Sequence, residues 1–134
     1  MLVSSNLINQ ELLEFQEKWA SRRVETILSV LRLTLKSKIG ALDGIMLDRL
    51  VVQGNFRNKG LGTEVLVELL ALSNKYNFIT FVYPSDGIGG DQKRIEKFYL
   101  SHGFMFNRGE DELFLNYPGM YYLPTMLLQV VHGC

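Results

Sequence analysis

The stretch Gln53-Gly54-Asn55-Phe56-Arg57-Asn58-Lys59-Gly60-Leu61-Gly62-Thr63 has the plainest chemical content in this sequence. Two cations and two glycines fall within the six residues from Arg57 to Gly62, a composition suited to an anion. The β-branched Val51 and Val52 precede them, and Val65, Leu66, Leu69, Leu70 and Leu72 follow at helical spacing. A strand that turns sharply into a helix leaves the first helical N–H groups without partners. Glycine at positions 60 and 62 lets a phosphate approach those groups with no Cβ in the way, while Arg57 and Lys59 add charge. A glycine-containing loop ahead of a surface helix is the plainer account of these six residues taken alone.

A second group lies downstream, in Phe98-Tyr99-Leu100-Ser101-His102-Gly103-Phe104. It reads as an aromatic pair at a helix end, followed by Gly-Phe opening a strand. Phe98 is expected in the core and Gly103 as a left-handed cap. Tyr99 is either a packed tyrosine or a phenol turned into the same cleft as the glycine loop. Asp48, on the strand leading to that loop, is the carboxylate placed to act as a base; a carboxylate paired with Arg49 or Lys59 is the alternative. His102, three residues past Tyr99 in a helical turn, reads as solvent-facing and is given no role.

The chain that must position these groups has 134 residues, enough for one domain with a single core. Hydrophobic residues make up 47% and charged residues 21%, as in an ordinary soluble globular protein. Lys plus Arg equals Asp plus Glu at 14 each, so no global field draws nucleic acid or an anionic membrane. The single cysteine, Cys134, rules out an internal disulfide, and with two histidines, His102 and His132, no metal site is expected. No basic leader and no long uncharged run is present, which leads to an expectation of a cytoplasmic protein without a membrane span.

In chain order, Leu7 to Ala20 carries Leu7, Ile8, Leu12, Leu13, Phe15 and Trp19 in a helical pattern with one buried face. Val24 to Lys38 is ambiguous between helix and strand, and a strand from about Ser29 to Lys36 is preferred because the next segment needs a pairing partner. Gly40, Asp43 and Gly44 mark a turn. Ile45 to Val52 reads as an interior strand. Thr63 to Lys75 is the central helix with Asn77 as its exit, and Phe78 to Tyr83 is a strand stopped by Pro84, giving a crossover unit with parallel strands. Ser85 to Asp91 is glycine-rich, a linker or a lid. A helix from Gln92 to His102 follows, with Asp91 as its cap. Phe104 to Phe106 and Leu113 to Tyr117 read as two strands around the turn Asn107 to Glu112, and Met120 to Leu123 and Met126 to Val131 as an apolar tail.

Arg57-x-x-Gly60-x-Gly62 is neither a Walker A loop nor the three-glycine dinucleotide fingerprint. Followed by a helix, a strand and Phe98-Tyr99-x-x-x-Gly103-Phe104, it resembles the GNAT superfamily of N-acetyltransferases in order and approximate spacing, over roughly Ile45 to Tyr117. The resemblance implies one mixed α/β domain spanning the chain, with a central, mostly antiparallel sheet flanked by helices. It further implies acetyl-CoA as co-substrate, with its pantetheine arm along Leu50, Val51 and Val52 and its pyrophosphate on Arg57, Asn58, Lys59, Gly60, Leu61, Gly62 and Thr63. Tyr99 takes the position of the general acid that protonates the departing thiolate. The acceptor would be an amine on a small molecule or protein. A GNAT-like binding or regulatory module without transfer, and transfer to a protein lysine or aminoacyl-tRNA, are the alternatives; a patch of Arg22, Arg23, Arg32 and Lys36 would serve the last.

The sequence departs from the family pattern in two places. Only 56 residues precede Arg57, which predicts one strand or helix fewer than usual. The glycine-rich segment 85–91 stands where many relatives have a shorter connection with an asparagine on CoA. A shortened sheet edge and the apolar tail together suggest a homodimer.

Overall fold

The computed structural model describes residues 5–37, 40–54, 60–84, 92–114 and 117–127. Helix α1 (Ser5–Ser21) buries Ile8, Leu12, Phe15 and Trp19, spaced four, three and four apart, while Leu7 and Leu13 fall off this stripe and face solvent. The chain reverses at Arg22 and Arg23, with Arg23 at φ 70, and enters strand β1 (Val24–Ser37), which pairs antiparallel with strand β2 (Gly40–Val52). Both strands are longer than the sequence pattern suggests.

Gly40, Asp43 and Gly44 therefore lie within β2 and do not form the expected turn; the strand connection is at residues 38–39, outside the described residues. Gly44 answers to packing. A Cβ there would sit 2.3 Å from the Phe81 ring, which lies across this glycine. A close approach of this kind inside a strand leaves the same sequence signal as a turn.

Helix α2 (Leu61–Tyr76) buries Val65, Leu66, Leu69 and Leu70 and ends at Asn77, which adopts φ 59 as expected of an exit residue. Strand β3 (Ile79–Val82) is buried throughout and runs parallel to β2, as the crossover predicts. Helix α3 (Gln92–Leu100) follows, and Gly103 takes φ 91 beyond its end. Asp91, the expected cap, is outside the described residues. Strand β4 (Met105–Phe106), a 3₁₀ turn at Gly109–Asp111 and strand β5 (Met120–Tyr122) complete the fold.

The five strands are ordered β1-β2-β3-β5-β4, with β2 and β3 the parallel pair and the other neighbours antiparallel. One face is covered by all three helices, whose buried side chains form a single cluster with Val24, Ile45, Leu47, Val82 and Met120. The other face holds Ile79, Phe81 and Tyr121, packed with Leu113, Phe114, Tyr117 and Leu123.

The partner of β4 is Met120–Tyr122, which the sequence reading assigned to the tail, and not Leu113–Tyr117. The reason is Asn107. Its buried amide donates to the carbonyls of Phe114 and Tyr117, at 2.8 and 2.6 Å, and its Oδ1 accepts the N–H groups of Leu113 and Phe114, at 2.7 and 3.1 Å. Backbone groups engaged by a side chain in this way are removed from a strand ladder. Leu113, Phe114 and Tyr117 form a plug over the sheet, and the ladder position falls to Met120–Tyr122.

Candidate functional site

The parallel ladder between β2 and β3 ends at the pair Leu47–Val82, while β2 runs on to Val52 and β3 gives way to Tyr83 and Pro84. The two strands thus part at their carboxyl ends, where open α/β sheets collect ligands. A bulge lies at the same level. Ile27 pairs with Arg49 and Leu28 with Leu47, so Asp48 has no residue opposite it. The N–H of Leu28 at this irregularity donates to Gln16 Oε1 at 3.1 Å. Leu50, Val51 and Val52, the expected pantetheine track, follow the bulge and are half-buried.

Beyond β2, Gly60 forms the N-cap of α2 at φ 78 and supplies no side-chain cap hydrogen bond. The N–H groups of Leu61, Gly62 and Thr63 stand in the first turn, where no intrahelical acceptor exists. Among the described residues a Cβ at Gly60 would meet nothing within 4 Å. The glycine is therefore set by its left-handed backbone, and no described residue fills the space beside it. Arg57, Asn58 and Lys59 lie outside the described residues.

The two sequence groups meet at this point. A Cβ built on Gly62 would sit 3.6 Å from the tip of the Phe98 ring, so the first turn of α2 abuts the aromatic pair of α3. Tyr99 packs edge-on to Phe98 and Phe104, with ring centroids 5.3 Å apart in each case, and is only 6% exposed. Burial pushes its phenol up to about 12. His102 is half-buried rather than solvent-facing: its ring packs on Phe98, and Nδ1–H donates to the Phe98 carbonyl at 2.9 Å.

Asp48 is exposed and accepts a hydrogen bond from Ser29 Oγ at 3.1 Å. Arg49 pairs with Glu25 instead of Asp48. Ser29 alternates with Leu28 and Val30, which pack toward the helices, so Asp48 projects from the opposite face to Tyr99. The carboxylate and the phenol thus flank the parted strands from two sides.

Sequence reasoning missed two features here. Tyr117 is buried, and its hydroxyl lies 2.8 Å from the carbonyl of Val82 and 2.7 Å from that of Met120, tying the end of β3 to the start of β5. Gly119 has no room for a side chain beside it: a Cβ would fall 2.5 Å from that hydroxyl. The second feature is a cavity of about 450 Å³ at the end of β3, walled by Tyr83, Pro84, the first turns of α3, Phe106 and Arg108. A tyrosine before Pro-Gly gave no hint of the first, and residues from three separate elements gave none of the second. Among the described residues no cluster of His, Cys, Asp or Glu is arranged to hold a metal ion, and no helix is long and apolar enough to cross a membrane.

Neither a family model nor a curated protein matches the sequence. Solved structures do match in shape. KacTA in complex with DNA is 16% identical with a TM-score of 0.53, over 81% of this chain and 63% of that one. A mutant AtaT toxin bound to the C-terminus of the antitoxin AtaR is 14% identical with a TM-score of 0.53, over 83% of this chain and 65% of that one. AtaTR bound with AcCoA is 17% identical with a TM-score of 0.50, over 80% and 60%. This chain spans less than two thirds of the length of each. At such identities the likeness is one of fold alone. The fold is GNAT-like, a mixed, mostly antiparallel sheet flanked by helices.

Proposed function

We propose that this protein is an acetyl-CoA-dependent N-acetyltransferase, and that the observation carrying this reading is the junction of α2 and α3 beside the parted strands. A helix terminus with no side-chain cap, no described residue filling the space beside its glycine and an aromatic pair against its first turn suits a pyrophosphate whose attached arm enters between β2 and β3. Support also comes from AtaTR, a structure of the same fold bound with AcCoA. On this reading Leu50, Val51 and Val52 line the pantetheine arm. Arg57, Asn58, Lys59, Gly60, Leu61, Gly62 and Thr63 hold the pyrophosphate.

The reaction forms a bond from the amine nitrogen to the thioester carbonyl carbon and breaks the carbon–sulfur bond. A β2 backbone N–H at Val51 or Val52 stabilises the oxyanion. Asp48, at the bulge, takes the amine proton. Tyr99 faces the departing sulfur. A phenol at about 12 lies roughly 3.5 pKa units above an ordinary thiol, so full proton transfer to a thiolate is uphill. Tyr99 acts by donating a hydrogen bond as charge builds on sulfur, its raised pKa keeps that proton in place throughout the neutral range, and the released thiolate takes its proton from solvent.

Thiol release from acetyl-CoA, screened against small amines and lysine peptides, tests this reading. The wild type is expected to release thiol with at least one acceptor, and Tyr99→Phe to lower turnover about tenfold or more with acetyl-CoA affinity retained. Equal turnover in the two removes Tyr99 from the mechanism. No release with any acceptor, despite binding, favours a GNAT-like binding module.

A further inference from the structure

We infer that the cavity at the end of β3 is a binding site for a compact zwitterion, a small molecule bearing one ammonium and one carboxylate on an apolar body. Its volume of about 450 Å³ falls within the range of small-ligand sites. The walls combine two kinds of surface. Tyr83 is half exposed, its ring held edge-on by Tyr117 at 5.1 Å, and Phe106 is a second aromatic residue in the lining. Two opposite charges complete the lining.

The negative charge is Glu96. Its carboxylate accepts one hydrogen bond, from Gln92 Nε2 at 3.1 Å, and Gln92 also donates to the Pro84 carbonyl, which fixes the amide between helix and strand end. Glu96 makes no ion pair among the described residues. The positive charge is Arg108, whose guanidinium lies 4.0 Å from the centroid of the Phe106 ring and likewise has no carboxylate partner among the described residues. Other cations of the chain are paired, Lys18 with Glu68, Lys75 with Glu11 and Arg49 with Glu25. An acid and a base left unpaired on one aromatic-walled cavity match a ligand that brings the complementary charges itself.

The cavity also adjoins the proposed transfer site. Tyr83 directly follows Val82, the last residue of the parallel ladder. Gln92, Glu96 and Tyr99 are spaced four and three apart, one stripe of α3 running from the cavity to the buried phenol. Resting on the acyltransferase reading, the zwitterion is the acceptor. Recognition of the ammonium precedes its deprotonation, so Glu96 acts on capture and is distinct from the proton acceptor assigned to Asp48.

Three probes with a common hydrocarbon body separate the charges: L-phenylalanine, phenethylamine and 3-phenylpropionate, followed by ligand-observed NMR at millimolar concentration. L-Phenylalanine is expected to bind at least about tenfold more tightly than either singly charged probe. Glu96→Gln should erase its advantage over 3-phenylpropionate, and Arg108→Gln its advantage over phenethylamine. Equal binding of all three probes, or unchanged preferences in both folded variants, overturns the inference. The same samples are titrated with acetyl-CoA. Acetyl-CoA binding without binding of L-phenylalanine rejects the cavity assignment and leaves the acyltransferase reading standing. The reverse result rejects that reading and upholds the cavity.

Discussion

The two faces of the sheet are held by different physics. On the helical face, Ile8, Leu12, Phe15, Trp19, Val65, Leu66, Leu69 and Leu70 form an aliphatic and aromatic layer, with ion pairs confined to its rim. The buried Trp19 sends its one N–H to Glu68 at 3.1 Å, and the buried Ser73 donates to the Phe78 carbonyl. On the other face the described residues 107–114 and 117–119 are held by polar side chains, Asn107 and Tyr117 above all, with the Tyr121 hydroxyl donating to the Asp111 carbonyl at 2.6 Å. Stability on the first face is spread over many contacts of small individual weight. On the second it is concentrated in a few hydrogen bonds whose loss leaves buried groups unsatisfied.

That contrast can be broken most severely at Asn107. Asn107→Ala removes all four side-chain hydrogen bonds and strands two N–H and two carbonyl groups; a loss of about 4 kcal/mol is expected in urea unfolding. A loss of under about 1 kcal/mol would mean that the plug is held by its apolar contacts alone. Tyr117→Phe keeps the ring stack on Phe81 and removes only the hydroxyl that meets the Val82 and Met120 carbonyls. It should cost roughly 1–2 kcal/mol, read from the same unfolding curves. On the helical face the counterpart is Lys75→Ala, which deletes the exposed partner of Glu11. Its unfolding midpoint should match the wild type within error, as for most surface pairs. A clear drop would show that polar contacts matter on both faces.

The same contrast explains how far the sequence could be read. The α1 stripe, the α2 pattern with its Asn77 exit and the β-prone run before Pro84 are local signals, and each element forms where its own periodicity places it. The plug and its neighbours were not legible. Leu113 to Tyr117 and Met120 to Tyr122 have similar strand propensity, and the choice between them rests on Asn107 reaching across six to ten residues. Gly44 resembled a turn because its cause, the Phe81 ring, lies on another strand. At the candidate site, the glycine loop and Tyr99 were visible as spacing, and their approach follows from the crossover. Glu96 and Arg108, twelve residues apart on a helix and a loop, carried no common signal until the fold brought them to one cavity.

The central claim is that the open N-terminus of α2 receives acetyl-CoA. Isothermal titration of acetyl-CoA into the wild type and into Gly60→Asp tests it most directly. Asp is among the L-residues that tolerate a left-handed backbone, and a Cβ at this glycine meets nothing within 4 Å among the described residues, so the variant should fold while placing a carboxylate where the pyrophosphate would lie. Micromolar binding by the wild type, weakened at least about tenfold in the variant, is the result expected. Absent binding by the wild type, or equal binding by both folded proteins, would contradict the claim.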